Sequence, residues 1–486
     1  MNSKELLAAI PHHQIKGALP ENIEHLTIDS RDIKADSMFV CITGYTVDGH
    51  NFAQQAADQG ASVIVAEKPL TIDNATVITV ESTSRTLGLL AAKFYDYPSK
   101  LLHMIGVTGT NGKTSVAGIL HAMLMELGEK SALTGTIGFN LNGQLHPSAN
   151  TTNDTLTTQQ MIAHARDEDC SHMTMEVSSH GLVLGRLAGV EFDTAIFTNL
   201  THDHLDFHGT MAEYGHAKGL LFSQLGQDLA NQKQAILNAD DPWSSELAKM
   251  TPHPVYTYGI QNDAQFKAKD IQLTHEGTTF TLDCTDGQFG VSMKLLGEFN
   301  VSNALAAIAA LYAEGYRLDE ILKALAAIAP VEGRMQKVEL EAPLSVFIDY
   351  AHTPDAIEKA IHAVQDFKKN RIIFLVGTGG NRDKTKRPIM AEKASVADYV
   401  VLTTDDPRDE SYESILGDLQ AGMTHDNFAC IGDREEAVKH AVQQAEAGDI
   451  IILAGKGHED YQIIGSTKYP HSDKEIAVQE ALKKFQ

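Results

Sequence analysis

One stretch of the chain combines residue types and spacing that suit phosphate binding. The segment 109–115 reads Gly-Thr-Asn-Gly-Lys-Thr-Ser and follows an apolar run at 101–107. Apolar residues between Val116 and Leu127 then recur at the i, i+3, i+4 spacing of a helix. Glycines let backbone N–H groups turn towards phosphate oxygens, and a helix N-terminus presents unpaired N–H groups to the same anion. The order of strand, glycine loop and helix therefore predicts a nucleotide phosphate loop.

Two side chains of this loop have predicted roles in phosphate chemistry. Lys113 would reach the terminal phosphates, and the Thr114 hydroxyl would ligate Mg²⁺. The strict Walker pattern has glycine where this chain has Val107, so the loop is a variant of that pattern. The residues expected around the nucleotide are Gly109, Thr110, Asn111, Gly112, Lys113, Thr114 and Ser115.

Length and composition limit the class of protein. A chain of 486 residues is too long for one ordinary core, and about three domains are expected. The 39 basic and 64 acidic side chains give a net charge of -25, which argues against nucleic acid or an anionic membrane as a partner. Four cysteines without CxxC spacing suggest neither disulfides nor a zinc site. Without a signal-peptide pattern or a membrane-length apolar run, we expect a cytoplasmic, monomeric enzyme.

Strand-like and helical segments alternate along most of the chain. This pattern predicts α/β domains with mostly parallel sheets, whose ligands bind at the carboxyl ends of the strands. Pro98 within 95–100 marks one boundary, and Pro330 with Gly333 marks a second. A β-rich insertion is predicted at 260–295. The predicted domains are 1–100, 101–333 and 334–486.

Polar residues directly follow the predicted strands at 172–177 and 194–198. Glu176 and His204 there would approach a Mg²⁺ held partly by Thr114, although Mg²⁺ prefers oxygen ligands. Alternatively, Glu176 caps a helix and His204 satisfies a loop carbonyl. Asn300 and Asn303, at the start of an alanine-rich helix, would either recognise a nucleotide base or cap that helix, and capping is the simpler explanation. Spacing alone does not choose between these alternatives.

Four polar clusters follow the four strands predicted in the last third of the chain, at 345–349, 372–376, 399–403 and 450–453. The carboxyl ends of parallel strands lie along one edge of a sheet, so these clusters predict a binding face. The clusters are 349–355, 377–383, 405–408 and 455–459.

Eight motifs, taken in order, resemble the Mur ligase family. Within the family they are most similar to the MurE-type ligases, which join a diamino acid to UDP-N-acetylmuramoyl-L-alanyl-D-glutamate in peptidoglycan synthesis. The resemblance implies a UDP-substrate-binding domain, a central P-loop ATPase domain and a Rossmann-like C-terminal domain, with ATP and Mg²⁺ as cofactors. The motifs lie at 109–114, 176–181, 203–206, 237–242, 300–303, 333–334, 349–352 and 455–459.

The resemblance also implies roles for individual residues. Lys218 aligns with the lysine that the family carbamylates. The implied catalytic residues are Lys113, Lys218, His204 and Arg334. ATP contacts beyond the loop are implied for Asn300, Asn303, Arg334 and Asp349. Residues implied at Mg²⁺ are Thr114, Glu176, His204 and Lys218. Residues implied at the UDP-muramoyl-dipeptide and the amino acid are Ser30, Thr151, Thr152, Ser178, Arg186, Arg382, Asp406, Arg408, Gly455 and Glu459.

The amino acid that is added is inferred from one motif. In the family, Asp-Asn-Pro-Arg marks enzymes that take meso-diaminopimelate, because the arginine pairs with the distal carboxylate. This chain keeps Arg408 but has Asp406 in place of the asparagine, and the alternative is that Asp406 pairs with Arg408 itself or attracts an ammonium. A guanidinium left unpaired in a closed pocket is costly, so we expect meso-diaminopimelate rather than L-lysine.

Two other functions share part of this pattern. A nucleotide-gated regulatory protein would use the same phosphate loop but would not need several polar clusters on a second α/β domain. A folylpolyglutamate synthase-like ligase belongs to the same superfamily. The motifs at 405–408 and 455–459 favour the MurE-type interpretation over both.

Overall fold

The structure is a computed structural model that describes residues 1–44, 47–148 and 150–485. Within these residues the chain forms sheets of five, eleven and six strands and one separate two-stranded hairpin. Each large sheet is built from a consecutive part of the chain and carries helices. The predicted α/β class with three domains is confirmed, while the boundaries after residues 100 and 333 stay predictions.

The N-terminal sheet has the order β1-β5-β4-β3-β2, with β1 antiparallel to β5 and the other pairs parallel. Its inner face packs apolar strand residues against the third helix, as Val63 and Leu90 show. The strands are β1 Gln14–Lys16, β2 His25–Thr27, β3 Ser37–Val40, β4 Ala61–Ala66 and β5 Thr76–Thr79. The helices are α1 Ser3–Leu7, α2 Ala53–Asp58 and α3 Thr83–Phe94.

The central sheet has the order β16-β15-β14-β13-β12-β11-β6-β10-β7-β8-β9. Its strands from β14 to β7 run parallel, and antiparallel hairpins extend both edges. The strands are β6 His103–Thr108, β7 Ser131–Thr134, β8 Phe139–Leu141, β9 Gln144–His146, β10 His172–Glu176, β11 Thr194–Phe197, β12 Gln234–Asn238, β13 Val255–Gly259, β14 Phe266–Thr274, β15 Gly277–Cys284 and β16 Gly287–Met293. The helices are α4 Lys113–Glu126, α5 Thr155–Asp167, α6 Ser179–Val183, α7 Leu205–His208, α8 Met211–Ser223, α9 Ser244–Leu247, α10 Glu298–Glu314 and α11 Leu318–Ala327.

Helix α4 is buried because it packs on the central sheet beside α10 and α11, which lie on the same core. Val116, Ile119 and Leu120 belong to the same core as Val107 of β6 and the alanines of α10, which confirms the predicted helical spacing. The helix begins at Lys113, directly after Gly112, whose left-handed backbone (φ 88°) ends the preceding loop. The β-rich insertion predicted at 260–295 corresponds to β14, β15 and β16.

The C-terminal sheet has the order β17-β18-β22-β19-β20-β21. All its pairs are parallel except β17 with β18. The four strands that precede the polar clusters are therefore neighbours, and their carboxyl ends share one edge. The strands of this sheet are β17 Gln336–Val338, β18 Ser345–Asp349, β19 Ile372–Val376, β20 Tyr399–Leu402, β21 Phe428–Cys430 and β22 Ile450–Ala454. The separate antiparallel hairpin consists of β23 Tyr461–Ile464 and β24 Thr467–Pro470. The helices are α12 Pro354–Gln365, α13 Lys386–Ala394, α14 Tyr412–Gln420, α15 Arg434–Gln444 and α16 Asp473–Phe485.

The start of α10 and the segment that joins the two domains both pack into the C-terminal core. Leu296, Phe299 and Met335 all contact the apolar cluster of that domain. Met335 has a left-handed backbone (φ 44°), as does Gly333 (φ 66°). In the described part of the chain, the helices are too short or too polar to cross a bilayer.

Candidate active site

A cavity of about 1200 Å³ lies between the central and C-terminal domains. One wall is the phosphate loop with residues from the ends of β10 and β11. The other wall is the carboxyl edge of the C-terminal sheet, where each of the four polar clusters contributes residues. The geometry thus brings together two predicted binding faces that come from separate domains.

The segment after β11 fixes the backbone of the phosphate loop through hydrogen bonds. Asn199 accepts a hydrogen bond from the Asn111 amide (2.9 Å), and Thr198 Oγ1 donates to the Asn111 carbonyl (2.6 Å). A side chain at Gly109 would collide with Thr198, so only glycine fits there. The Lys113 ammonium donates to the carbonyls of Gly109 (3.0 Å) and Thr110 (2.9 Å). These carbonyls hold the lysine over the loop, where an anion would replace them as its partner.

Glu176 forms a buried oxygen cluster beside the loop. Its carboxylate accepts hydrogen bonds from the Thr114 hydroxyl (2.9 Å) and from the backbone N–H and hydroxyl of Thr136 (2.8 and 3.1 Å). The alternative in which Glu176 caps a helix is therefore wrong. Arg334 Nη2 donates to the same Thr114 hydroxyl (2.9 Å). Carboxylate and hydroxyl oxygens are ligands that Mg²⁺ prefers, so this pair fits a hard cation.

His204 lies on the cavity wall in a left-handed conformation (φ 54°) at the start of α7. Its Nε2 is 3.3 Å from Asp203 Oδ2, so the ring faces a carboxylate rather than the loop carbonyl considered as an alternative. Burial lowers the pKa of His204 to about 3, which keeps the ring neutral. Asp203 in turn lies 3.6 Å from the Lys386 ammonium of the C-terminal domain.

Lys218 is buried under the phosphate loop. Its ammonium donates to the Gly109 carbonyl (2.7 Å) and lies 4.2 Å from the centre of the Tyr214 ring, and the residue is 1% exposed. Burial, and secondarily the charge of Lys113, lower the pKa of Lys218 well below its ordinary value. The side chain is thereby shifted towards a neutral amine.

The two asparagines of α10 do not cap that helix. Asn300 Nδ2 donates to the Leu296 carbonyl (2.8 Å), and Asn303 Nδ2 donates to Asn300 Oδ1 (3.0 Å). The capping explanation is wrong because both side chains use these other partners. Asn303 lines the cavity. A Cβ atom added at Gly112 would lie 2.7 Å from Asn303 Oδ1, so this side chain is close to the phosphate loop. It is placed to contact whatever the phosphate loop holds.

Arg334 and Asp349 bring the interdomain segment into the site. Asp349 accepts hydrogen bonds from the backbone N–H groups of Met335 (2.7 Å) and Ala351 (2.8 Å). Burial raises the pKa of Asp349. The Arg334 guanidinium stacks 4.4 Å over the Tyr350 ring. The side chain that reaches Thr114 is therefore fixed by the C-terminal domain.

Most residues expected at the muramoyl dipeptide come together near Glu176. Thr151 and Ser178 line the cavity. Thr152 Oγ1 donates to the Glu176 carbonyl (2.9 Å), and Arg186 Nη1 donates to the Thr152 carbonyl (2.9 Å). Ser30 is separate: it follows β2 in the N-terminal domain and is not among the described residues that line this cavity.

The residues expected at the amino acid lie together at the C-terminal wall. Arg408 Nη1 donates to the Gly380 carbonyl (3.2 Å), and its Nη2 is 3.5 Å from Asp406 Oδ2. The premise of an unpaired guanidinium, on which the preference for meso-diaminopimelate rested, is therefore wrong. The aspartate that replaces the motif's asparagine supplies the partner. The cavity-lining members are Arg382, Asp406, Arg408, Gly455 and Glu459.

Some contacts across the cavity had no sequence signal. Asn111 Nδ2 donates to Asp355 Oδ2 (2.9 Å), and the Thr353 hydroxyl donates to Asn111 Oδ1 (3.2 Å). The phosphate loop thus touches helix α12 of the other domain directly. Thr136 was missed because it follows a short strand that the apolar pattern does not reveal.

Comparison with known proteins covers the whole chain. Models of the Mur ligase family, catalytic domain, the Mur ligase middle domain and the Mur ligase, glutamate ligase domain match residues 22–95, 107–311 and 333–457. A UDP-N-acetylmuramoyl-L-alanyl-D-glutamate--L-lysine ligase of Staphylococcus haemolyticus (strain JCSC1435) is 47% identical, and one of Staphylococcus aureus (strain MW2) is 46% identical. Each alignment covers 100% of this chain and 99% of the relative.

Solved structures agree with this assignment. A UDP-N-acetylmuramoyl-L-alanyl-D-glutamate--2,6-diaminopimelate ligase is 31% identical, with a TM-score of 0.70 and 99% of each chain covered. Folylpolyglutamate synthase of Mycobacterium tuberculosis, complexed with ADP and AMPPCP, has a TM-score of 0.64 at 17% identity, covering 82% of this chain and 94% of that one. At that identity the second likeness shows a shared fold only.

A phosphate loop that faces the polar edge of a second α/β domain defines a nucleotide-dependent enzyme with a site shared by two domains. The chain belongs to the Mur ligase family. It is an ATP-dependent ligase that joins an acid to an amino acid, and within the family it groups with the MurE-type, diamino-acid-adding ligases. The resemblance inferred from the eight motifs is confirmed.

Proposed function

We propose that the protein joins L-lysine to the D-glutamate carboxyl group of UDP-N-acetylmuramoyl-L-alanyl-D-glutamate at the expense of ATP. The observation that carries this proposal is the full-length identity of 46–47% to ligases that are named for L-lysine. It corrects the earlier preference for meso-diaminopimelate, which depended on Arg408 lacking a partner. The same relatives give no support to a nucleotide-gated regulatory protein.

Local charge supports the choice of L-lysine. In this pocket Arg408 has partners within the chain, since Nη1 donates to the Gly380 carbonyl and Nη2 lies 3.5 Å from Asp406 Oδ2, so a second substrate carboxylate is not needed to pair the guanidinium. Asp406 and Glu459 also supply carboxylates to the cavity wall, and these suit a side-chain ammonium, which L-lysine and meso-diaminopimelate both carry. Arg382, which lines the same wall, suits the α-carboxylate.

The first chemical step activates an unreactive carboxylate. A carboxylate oxygen of the dipeptide attacks the γ-phosphorus of ATP, the bond from that phosphorus to the β,γ-bridging oxygen breaks, and ADP leaves an acyl phosphate. Lys113 and Arg334, both at the phosphate loop, are placed to neutralise the charge on the transferred phosphoryl group. Asn303 of the central domain and Asp349 of the C-terminal domain both line the cavity and are placed to orient the nucleotide.

The donor set at the loop fits Mg²⁺. Thr114 and Glu176 would hold the ion, with His204 and a carbamylated Lys218 as further candidates. In the described part of the chain, no three His, Cys, Asp or Glu side chains converge as a ready metal site. Nucleotide phosphates and water would therefore complete the shell, as is usual for Mg²⁺. When bound, the ion supplies positive charge to phosphate oxygens.

The second step forms the new bond. The neutral α-amino nitrogen attacks the acyl carbon, loses a proton, and inorganic phosphate departs as the carbon–oxygen bond breaks. A free α-amino group has a pKa of about 8, so a substantial neutral fraction exists near that pH. The C-terminal wall holds the amino acid, and the central wall holds the acyl phosphate. Their separation on two domains explains why the cavity must be shared.

A carbamate on Lys218 is consistent with its surroundings. Carbon dioxide reacts with neutral amines, and burial shifts Lys218 towards that form. The reaction joins the neutral amine nitrogen to the carbon of CO₂ and releases one proton, so the neutral amine becomes an anion. An anion under the phosphate loop would orient a bound cation, whereas the ammonium would repel it.

Phosphate release from ATP tests the proposal directly. The purified protein is given the UDP-muramoyl dipeptide and either L-lysine or meso-diaminopimelate, and the products are identified by mass. We expect a higher kcat/KM with L-lysine. A higher value with meso-diaminopimelate would overturn the choice of amino acid, and no ligation with either would overturn the proposed reaction.

A further inference from the structure

Lys456 belongs to the motif 455–459 but has no role in the reaction described so far. Its side chain is 1% exposed, and Nζ lies 2.9 Å from Asp406 Oδ1 and 2.6 Å from Glu459 Oε2. Burial opposes its charge, but Glu459 and Asp406 overcome this effect and raise the pKa of Lys456. A buried ammonium is therefore held between two carboxylates.

The two carboxylates come from different strand ends. Asp406 follows β20, whereas Lys456 and Glu459 follow β22, and β19 lies between these strands in the sheet. The lysine thereby joins the ends of two strands that are not neighbours in the sheet, close to the point where Arg408 and Ile464 form a short parallel bridge. Asp406 Oδ1 is fixed a second time by the backbone N–H of Ile463 (3.0 Å).

Asp406 and Glu459 each bind Lys456 through one carboxylate oxygen, and the second oxygen of each makes a longer contact with another residue. Asp406 Oδ2 lies 3.5 Å from Arg408 Nη2, and Glu459 Oε1 accepts from the Tyr350 hydroxyl at 3.3 Å. Both distances are long for hydrogen bonds, so a better donor would replace these partners readily. Asp406 and Glu459 line the cavity. The inner oxygens are thus fixed, while the outer oxygens are free to exchange partners.

We propose that Lys456 is a positioning residue that holds the outer oxygens of Asp406 and Glu459 as a receptor for the side-chain ammonium of the diamino acid. Without the buried cation, the two carboxylates would repel each other and separate, or one would take up a proton. Either change removes a partner of the substrate ammonium. The inference rests on the proposed function only in requiring a second ammonium on the substrate, which both L-lysine and meso-diaminopimelate possess.

Steady-state kinetics of Lys456→Met tests this role. We expect the KM for the amino acid to rise about 30-fold or more, as is typical when a buried charge loses its partner. The KM values for ATP and for the UDP-muramoyl dipeptide should stay within about twofold, because those sites use other residues. The matched control is Lys468→Met, since Lys468 lies 3.9 Å from the centre of the same Tyr461 ring that Lys456 contacts, but from the exposed side. It should leave all three KM values unchanged.

A second measurement separates positioning from general structure. L-Norleucine lacks the side-chain ammonium, so the wild-type enzyme should discriminate strongly against it and Lys456→Met should lose most of that discrimination. Lys456→Arg, which keeps the cation, should recover much of it. A variant that lowers kcat with an unchanged amino-acid KM, or that keeps full discrimination, would overturn the proposal.

A second variant and a second substrate separate loss of the positioning role from other failures. If Lys456→Met does not fold, Lys456→Gln removes the charge while keeping a polar side chain, and it is held to the same two outcomes. If the wild-type enzyme prefers meso-diaminopimelate, the choice of L-lysine fails, but the Lys456 variants are then measured with meso-diaminopimelate. Failure of the positioning role is thus seen separately, as an unchanged KM for whichever diamino acid is used.

Discussion

Lys113 is the side chain whose removal should affect phosphoryl transfer most directly. Its ammonium now binds two loop carbonyls and would exchange them for phosphate oxygens. Losing one such stabiliser typically costs about 2.7 to 4 kcal/mol, so Lys113→Ala should lower kcat about 100- to 1000-fold. Phosphate release measures the effect. Lys130→Ala, in the exposed segment after α4, serves as the control, and near-wild-type ligation by Lys113→Ala would contradict the assignment.

Lys218 should be essential through its nitrogen chemistry rather than through its positive charge. Lys218→Ala removes the site of carbamate formation, and Lys218→Arg keeps a cation that does not form a carbamate. We expect both variants to lose nearly all ligation activity. Formate or acetate should partly restore Lys218→Ala, because a small carboxylate can replace the missing anion, and should leave Lys218→Arg inactive.

A different result with Lys218→Arg would point to a different role for Lys218. Full activity of Lys218→Arg would show that a cation suffices under the phosphate loop. In that case the hydrogen bond to the Gly109 carbonyl, rather than a carbamate, would be the function of this residue.

At the scale of single elements, the junction of α4 with β7 predicts how stability depends on pH. His121 of α4 is buried, its Nδ1 lies 3.0 Å from the Ser131 hydroxyl, and burial lowers its pKa to about 4. Below pH 6.5 the unfolded chain binds a proton here, but the folded chain does not until about pH 4. The stability from neutral His121 is therefore complete above pH 6.5 and is lost as the pH falls towards 4.

Urea unfolding at several pH values checks this expectation. The fluorescence of Trp243, the single tryptophan, reports on the central domain. The wild-type free energy of unfolding should fall on acidification, and His121→Gln should reduce that slope by up to about 1.4 kcal/mol per pH unit. His275→Gln, at a histidine with 67% of its side chain exposed, should leave the slope unchanged. An equal slope in wild type and His121→Gln would contradict the argument.

Apolar strands were predictable from sequence, and polar ones were not. The buried runs Ser345–Asp349 and Ile372–Val376 form strands with the expected bounds because both faces of that sheet are covered by helices. The short strands Gln144–His146 and Thr467–Pro470 were missed because all their residues are exposed. They exist through pairing with a neighbouring strand, which the local sequence does not reveal.

The residues of the site also differ in whether the local sequence predicts them. Lys113 and Thr114 were predictable because the phosphate loop is a continuous motif with a direct physical reason for each residue. Lys218 was assigned only through family resemblance, since its burial depends on packing beneath a loop more than 100 residues away. No role for Lys456 could be predicted from the motif 455–459, because its two partners, Asp406 and Glu459, follow different strands.

At the scale of the whole molecule, the shared cavity predicts a dependence of shape on ligands. Asn111 of the phosphate loop contacts Asp355, and Asp203 contacts Lys386 across the same gap. We expect small-angle scattering to show a smaller radius of gyration with an ATP analogue and the UDP-muramoyl dipeptide than without them, because lid and domain closure commonly accompanies such binding.

Paired variants make that measurement specific. Asp355→Ala should reduce the compaction, whereas Asp426→Ala, at an exposed residue of the same domain, should not. Equal radii with and without ligands in the wild-type protein would count against closure. Equal compaction in Asp355→Ala would show that this contact does not hold the domains together.

The two sides of the domain junction differ in chemistry, and this difference sets what can separate. On the side of Leu296, Phe299 and Met335 the domains share an apolar core, whose exposure to water would be costly. On the side of Asn111 and Asp203 they meet through polar contacts, which water can replace at little cost. After each ligation, water can therefore enter the polar side of the cleft and the products can leave. The apolar contacts meanwhile keep the two domains together, so the next cycle starts from the same relative arrangement of the domains.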